Sequence, residues 1–497
     1  LPAFADTWYI EDGDISISAG TSGNHVEQGE KKQDETTETI ITNRESTASS
    51  NAVTIEAGEG KTVDVTLKNV NIDASSGAAV SVTGKGDTNI ELNGNNTLTS
   101  GSGHAGLEHN KETNSEGKET SGTLTITDNN NDGKLTANGG IDGAGIGGSD
   151  EHDGQVTITG GEITATGGNG AAGIGGGAGD TDAVGGDGDV TISGGTITAT
   201  GGRLGAGIGG GAYGNGTVTV TDGDITAKAT GRYGAGIGGG YGAKPSGTLI
   251  GGNGTVTISG GTITEASGGY MAAGIGSGFQ GLGTVTIEGD AVIKNAQGGK
   301  AGAGIGSGTR GDSEIIIRGD AVIENAESSG NGAGIGSGKG DWYSDGDGMV
   351  IDPTVGNVTI EGNAKIENAK SGYGGSGIGG GTSGIGNVII RGNAQIGNAT
   401  GGEEGAGIGG GALGTGDVTI EGNVTIENAQ GGAGAAGIGG GAETKPDTKD
   451  TRNKVSIKST EAGSPNITAT GGGVLNDELS GAAAIGSGSV ADGATEV

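Results

Sequence analysis

The residues best suited to chemistry stand together in one segment, KGDWYSDGDGMVIDPTVGN. Trp342 and Tyr343 are adjacent there, in a chain of 497 residues with only 2 Trp and 7 Tyr. Aromatic faces on an exposed insertion can stack on sugar rings. The carboxylates of Asp345, Asp347 and Asp352 are the hard oxygen ligands that calcium takes. The segment predicts a sugar-binding site with calcium; the alternative is that Trp342 only covers a hydrophobic coil.

A second candidate calcium site is the segment DNNNDGK. Asp128, Asn130, Asp132 and Gly133 match the first half of a D-x-N-x-D-G calcium loop. The glutamate expected at the twelfth position of such a loop is absent, because Gly139 stands there. A solvated turn between two strands explains the same residues, so both interpretations stay open.

Catalysis has less support in the sequence. A polysaccharide lyase needs a base with clustered cations, and a hydrolase needs two carboxylates at a defined separation. The chain has 60 Asp and Glu residues, so acidic groups alone say little. No Asp/Arg/Lys/His cluster stands out from the repeat pattern. The sequence therefore favours binding, names no catalytic residue, and keeps a lyase or hydrolase as an alternative.

The elements that must position these residues belong to a repeat. Each unit has a VTI-like run, an ITAT- or AVIKNA-like run and a Gly-rich tetrad AGIG, and the commonest interval between tetrads is 30 residues. Three short alternating segments separated by Gly-rich corners are typical of one coil of a solenoid. The sequence predicts an all-β, right-handed parallel β-helix of about 30 residues per coil. The tetrad isoleucines are Ile146, Ile174, Ile208, Ile237, Ile275, Ile305, Ile335, Ile378, Ile408, Ile438 and, in a degenerate copy, Ile485.

Alternation along the strands predicts which side chains face inward. Val, Ile and Ala of the runs share the inner face. Applied to the tetrad, the same rule puts Ala206 and Ile208 inside and Gly207 and Gly209 outside. Two interpretations follow. The sequence favours glycines that serve tight corners with positive φ; the alternative is an exposed strip of bare backbone, through which rods could associate side by side.

In the later repeats the second run ends in Asn-Ala. Side-chain amides repeated once per coil can hydrogen-bond to one another. We expect a structural asparagine ladder rather than a ligand site, formed by Asn295, Asn325, Asn368, Asn398 and Asn428.

The predicted domain organisation has four parts. Residues 1–5 end in the small-x-small pattern of a signal peptide and are assigned to its remnant. Residues 6–122 form irregular N-terminal coils and a cap, residues 123–440 the regular Gly-rich array, and residues 441–497 an insertion and a last, truncated coil. Such a leader predicts a secreted, extracellular or cell-surface protein. With no Cys, it must be stabilised by stacking rather than by disulfides.

The net charge of the chain limits the classes of partner that it can bind. Lys and Arg number 26 against 60 for Asp and Glu, a net charge of −34. Such a surface repels nucleic acids and anionic membranes. No run reaches the roughly 18 apolar residues of a membrane span. We expect no nucleic acid partner and no membrane insertion.

Three segments carry a family resemblance: VTLKNVNIDASSGAAVSV, NIELNGNNTLTSG and VTITGGEITATGGNGAAGIGGG. They resemble exported parallel β-helix carbohydrate-binding proteins, of the calcium-containing kind that binds acidic plant polysaccharides such as polygalacturonate. The resemblance implies calcium in turns and binding of a polysaccharide or a host or plant glycan. Divalent ions could bridge the carboxylates of this acidic chain and an acidic glycan. The rival hypothesis is a passive stalk or adhesin repeat region.

Overall fold

The computed structural model describes residues 6–34, 39–179, 186–242, 251–344, 349–442, 453–473 and 481–488. The chain divides into two compact units, residues 1–227 and 228–497. In each unit short parallel strands stack coil upon coil on three sides. The fold is a parallel β-helix, as the repeat predicts. Among the described residues the structure has one short 3-10 helix, Ile10–Asp12, and no helix of membrane-spanning length and hydropathy.

The strands of the first unit fall on the three sides as follows. The first side consists of Thr7–Tyr9, Thr39–Thr42, Thr62–Lys68, Asp87–Asn93, Leu124–Thr127 and Asp153–Ile158. The second consists of Asn71–Ala74, Asn95–Ser100, Lys134–Asn138 and Glu162–Thr166. Two long strands bend across both sides, Gly188–Gly201 and Gly216–Ala229. The third consists of Ile15–Ala19, Val53–Ala57, Val80–Gly84, Leu107–Lys111, Ile146–Gly147, Ile174–Gly175 and Ile208–Gly209.

The second unit repeats this arrangement. Its first side has Gly254–Ile258, Gly283–Ile287, Ser313–Ile317, Thr354–Ile360, Gly384–Gly392, Gly416–Gly422 and Lys454–Lys458. Its second side has Thr262–Ser267, Val292–Ile293, Ala296–Gly298, Val322–Ser328, Lys365–Ser371, Gln395–Thr400, Thr425–Gln430 and Asn466–Thr470. Its third side has Ile237–Gly238, Ile275–Gly276, Ile305–Gly306, Ile335–Gly336, Ile378–Gly379, Ile408–Gly409, Ile438–Gly439 and Ile485–Gly486.

The first unit begins with an antiparallel edge. Ile15–Ala19 pairs with Asn24–Gln28, which pairs with Lys31–Asp34. Trp8 is buried beside this meander, and the Lys31 ammonium lies 3.8 Å from its ring centroid. Because the charged residues of Lys31–Asp34 are turned to solvent, this edge covers the first coil with polar side chains.

The core is a set of identical residues stacked in register. Val190 pairs with Val156, Ile197 with Ile163, and Ile208 with Ile174, and all six side chains are buried. Burying a Val or Ile side chain contributes about 1.5–3 kcal/mol. Repetition of one residue at one position therefore gives every coil the same well-packed interior, and the predicted inward Val/Ile/Ala ladder is confirmed.

The alternative of an exposed glycine strip is wrong, because Gly207 and Gly209 are buried. In the preceding coil, a Cβ on Gly173 would lie 2.7 Å from the amide nitrogen of Thr200, a residue of the second side. Gly175 has a φ of 132°, and a Cβ there would overlap the carbonyl oxygen of Gly209. The tetrad glycines thus permit a close approach of two sides and a positive φ, as the corner interpretation predicts. Side-by-side association through this strip loses its basis.

The asparagine ladder is confirmed. Each side-chain amide donates to the amide oxygen of the asparagine one coil earlier, at distances of 3.3, 3.2, 3.0 and 3.3 Å along Asn295, Asn325, Asn368, Asn398 and Asn428. Asn368 also donates to the carbonyl of Glu324 at 3.1 Å. The ladder therefore ties neighbouring coils together on the second side.

Candidate functional site

The turn from the second to the third side carries one variable residue per coil. In the second unit, this residue stands five positions before the tetrad isoleucine, amid constant glycines. The backbone keeps these residues stacked, since the amide of Ala301 donates to the carbonyl of Tyr270 at 3.0 Å and the amide of Tyr373 to that of Gly330 at 2.7 Å. We call this row the leading column: Arg232, Tyr270, Lys300, Gly330, Tyr373 and Glu403.

A second row lies beside the first. It stands four positions after the tetrad isoleucine, and its backbone amides donate to the turns of the preceding coil. The amide of Thr309 reaches the carbonyl of Met271, and that of Lys339 the carbonyl of Ala301, both at 2.8 Å. We call this row the trailing column: Tyr241, Phe279, Thr309, Lys339 and Thr382. The repeat thus builds two parallel rows of side chains on one edge.

Between the two columns lies a cleft of about 470 Å³, which we call the tyrosine cleft. Tyr270 stands at one end and Tyr373 at the other, with 46% and 49% of their surfaces exposed. They are three coils apart, or about 14 Å at the strand spacing of a sheet. Lys300 and Lys339 line the space between them, and Gly330 leaves room because it has no side chain.

The lysines of the cleft are available for a ligand. Arg310 and Lys370 are paired with Asp341 at 2.5 Å and with Glu327 at 3.7 Å. Lys300 and Lys339, by contrast, form no ion pair with any residue that the structure describes. Two unpaired ammonium groups in a chain with a net charge of −34 make the cleft locally cationic.

An aromatic cluster continues the columns beyond Tyr270. The ring centroids of Tyr233 and Tyr241 are 4.7 Å apart, and Phe279 lies 5.5 and 5.9 Å from them. The guanidinium of Arg232 lies 5.7 Å from the Tyr233 centroid and 5.3 Å from that of Tyr270. Four of the 7 Tyr of the chain therefore stand on this one edge.

The predicted Trp342 segment begins beside the cleft. Directly after Lys339 and Gly340 the chain forms a hairpin of Asp341–Ser344 and Met349–Asp352, with Trp342 opposite Ile351. Asp352 is exposed. Asp345 and Asp347 lie outside the described residues, as do the side chains of Trp342 and Tyr343. The insertion thus starts at the trailing column, and its sugar and calcium roles stay predictions.

Comparison with known proteins supports the parallel β-helix fold. Five segments match the family model for the beta helix repeat. They are residues 130–150, 156–178, 190–212, 213–241 and 256–279. No curated protein matches the chain. The fourth and fifth matched segments include Arg232 and Tyr270, whereas Lys300, Lys339 and Tyr373 lie outside the matched residues.

The predicted calcium loop lies between two beta helix repeat strands of the first unit. The backbone amide of Asp132 donates to the side-chain oxygens of Asp128 at 3.2 Å and Asn130 at 3.4 Å. The carboxylate of Asp132 accepts from the amide of Gly94 at 3.2 Å. Among the described residues no group of three His, Asp or Glu side chains is placed to hold a metal ion. In this arrangement the loop oxygens accept backbone amides, and the calcium role of the loop stays a prediction.

An acidic cleft of about 450 Å³ lies in the first unit. The carboxylate of Asp153 accepts from the amide of Asp187 at 2.9 Å, and that of Asp187 from the amide of Asn215 at 2.7 Å. Burial raises the pKa of Asp153, partly offset by the Asp187 amide. Lys111 is paired with Asp189 at 2.7 Å. Asn215 stands at the equivalent corner one coil later, so these corner carboxylates act as backbone acceptors.

Sequence reasoning missed the residues of the tyrosine cleft. Tyr270, Tyr373, Lys300 and Lys339 differ in type, so no motif search connects them. The signal that could have found them is their constant distance from the tetrad isoleucine, combined with their departure from glycine.

Proposed function

We propose that the protein binds an acidic polysaccharide in the tyrosine cleft. The observation that carries the proposal is the pair of half-exposed tyrosines, Tyr270 and Tyr373, with Lys300 and Lys339 between them. A cleft of this size with aromatic walls and a few polar groups is typical of a small-ligand site. The alternative of a hydrolase has less support, since the described residues that line the cleft include no Asp or Glu to supply its two carboxylates.

The side-chain chemistry selects the ligand class. Tyrosine presents a rigid, largely apolar face with few rotatable bonds, which suits the C–H face of a sugar ring. Lysine presents a strongly hydrated point charge, which suits a carboxylate or sulfate. Neutral sugars would use only the tyrosines, whereas an acidic sugar would use both kinds of residue.

The proposal also includes export and calcium. The leader pattern at residues 1–5 supports a secreted, extracellular or cell-surface location, where such polysaccharides occur. Calcium could help by bridging ligand carboxylates and the acidic surface around the cleft. Since Lys300 and Lys339 already supply local positive charge, we expect binding to persist in weakened form without calcium.

Calorimetric titration of the intact chain tests the function. The probes are polygalacturonate, hyaluronan and neutral cello-oligosaccharides, each with calcium and with a chelator. Truncating a central aromatic anchor costs about 1 kcal/mol or more, so Tyr373→Ala should weaken binding at least about five-fold. Replacing both Lys300 and Lys339 by Gln should weaken acidic probes and leave neutral ones unchanged.

The matched control is Ile389→Ala, which truncates an exposed apolar side chain on the first side of the same unit. It should bind like the unaltered protein. Unchanged affinity in Tyr373→Ala would contradict the tyrosine cleft as the site. If the folded, unaltered protein binds no glycan, the passive stalk or adhesin region is the better explanation.

A further inference from the structure

We infer that the tyrosine cleft is one end of a longer, directional track for a linear polyanion, and that the aromatic cluster is a second sugar-binding subsite at its other end. This inference rests on the proposed function and adds the length of the ligand, its orientation along the stack and the direction in which it extends from the cleft. It follows from three features of the two columns: their continuity, their spacing and their sequence of charges.

Continuity comes from Arg232. Its guanidinium lies 5.3 Å from the ring centroid of Tyr270, which ends the cleft, and 5.7 Å from that of Tyr233, which begins the cluster. The backbone is continuous as well, since the amide of Met271 donates to the carbonyl of Arg232 at 2.8 Å. A ligand that stacks on Tyr270 is therefore next to the Arg232 guanidinium, and beyond it lies a second aromatic surface, that of Tyr233.

Spacing fixes the orientation of the ligand. Each leading-column residue is one coil above the last, or about 4.8 Å. From Arg232 to Tyr373 the column rises four coils, about 19 Å. Side chains in such a row can all touch one molecule only if that molecule lies along the stack. The track thus suits an extended glycan and its internal segments, because the coils continue beyond both tyrosines.

Charge fixes the direction. From Arg232 to Tyr373 the charged side chains of the two columns are cationic: Arg232, Lys300 and Lys339. In the next coil the leading column carries Glu403, which is exposed, and the adjacent Glu404 donates its backbone amide to the carbonyl of Tyr373 at 3.4 Å. The sign of the column therefore reverses directly after Tyr373. A polyanion gains contacts toward the aromatic cluster and meets repulsion in the other direction.

A purely structural role is the alternative explanation of the aromatic cluster. Tyr233, Tyr241 and Phe279 contact one another and would stabilise a corner even with no ligand present. The two roles differ in their dependence on ligand length. If the cluster is structural, substituting its residues changes the affinity for ligands of every length or of none. If it is a distal subsite, the substitutions change the affinity only for ligands long enough to reach it.

The experiment is a titration of the intact chain with a size-graded series of oligogalacturonates and, as the neutral counterpart, cello-oligosaccharides. Affinity for the acidic series should rise with length until the oligomer spans the track, and then level off. Arg232→Gln and Phe279→Ala should each weaken the longest oligomers about five-fold, as expected for loss of an anchor, and leave the shortest unchanged. Glu403→Gln should strengthen polygalacturonate about two-fold, as removal of one exposed like charge, without changing short oligomers.

Each outcome separates the track from the function itself. If no probe binds the folded protein, the proposed function fails. If short and long oligomers bind equally and the Arg232 and Phe279 variants change neither, the cleft stands alone and the track is refuted. If those variants weaken short and long oligomers alike, the cluster supports the fold and is no subsite. Because Arg232 is exposed, its variant keeps the test valid even if Phe279→Ala unfolds.

Discussion

At the scale of single residues, the carboxylates at the corners of the coils accept hydrogen bonds from backbone amides. Asp153 and Asp187 each accept the amide that begins the next coil, and Asn215 takes the same place one coil later. An amide oxygen meets this need without a charge. A half-buried carboxylate such as Asp153, beside that of Asp187, therefore carries an electrostatic penalty that an asparagine avoids.

We therefore predict that Asp153→Asn stabilises the protein at neutral pH. Burial raises the pKa of Asp153 in the folded state, so its contribution to stability is complete below its unfolded pKa and is lost as pH rises through the folded pKa. Asp153→Asn cannot ionise and so avoids this loss of stability at neutral pH. In urea unfolding, its free energy of unfolding should exceed that of the unaltered protein at neutral pH and equal it in acid. The exposed Asp73→Asn is the control. Equal stabilisation at acidic and neutral pH would contradict the explanation.

At the scale of elements, the asparagine ladder joins coils that share only short strands. Asn368 stands in its middle, donating to Glu324 and Asn325 and accepting from Asn398. Asn428 ends the series and donates to Asn398 alone within the ladder. The interior position therefore has more hydrogen bonds to lose than the terminal one.

We predict that Asn368→Ala lowers the free energy of unfolding by about 1–3 kcal/mol, since it leaves partly buried acceptors and donors unpaired. Asn428→Ala should lower it by clearly less. Urea unfolding of both variants measures the difference directly. Equal losses would mean that each asparagine acts through its own turn and that the ladder does not couple coils.

At this scale much of the fold could be predicted from the sequence. The repeat period of Val, Ile and Ala predicts the coil and its three sides, and the repeated Asn-Ala predicts the ladder of Asn368, because equivalent residues of successive coils stack on one another. Alternation failed at Gly209, because it assumes an extended strand, whereas the third-side strand has two residues and Gly209 has a φ of 126°. The tyrosine cleft escaped notice since Tyr270 and Lys300 share a place in the coil but no residue type.

At the scale of the whole molecule, two electric fields act on an acidic ligand. The net charge of −34 repels a polyanion at a distance. Lys300 and Lys339 attract it only at contact range. Salt shortens the Debye length from about 30 Å at 0.01 M to about 8 Å at 0.15 M, so it weakens the distant repulsion most and the contact attraction less.

We therefore predict that added salt raises the association rate for polygalacturonate, the reverse of the usual electrostatic steering. The dissociation rate should rise as well, because the lysine contacts are partly exposed. Stopped-flow kinetics over a salt series measures both rates, with cello-oligosaccharides as the neutral control. Replacing Lys300 and Lys339 by Gln should reduce the salt dependence of dissociation, leaving the part due to Arg232, and keep that of association. An association rate that falls with salt would mean that the local cations, rather than the net charge, govern the approach of the ligand.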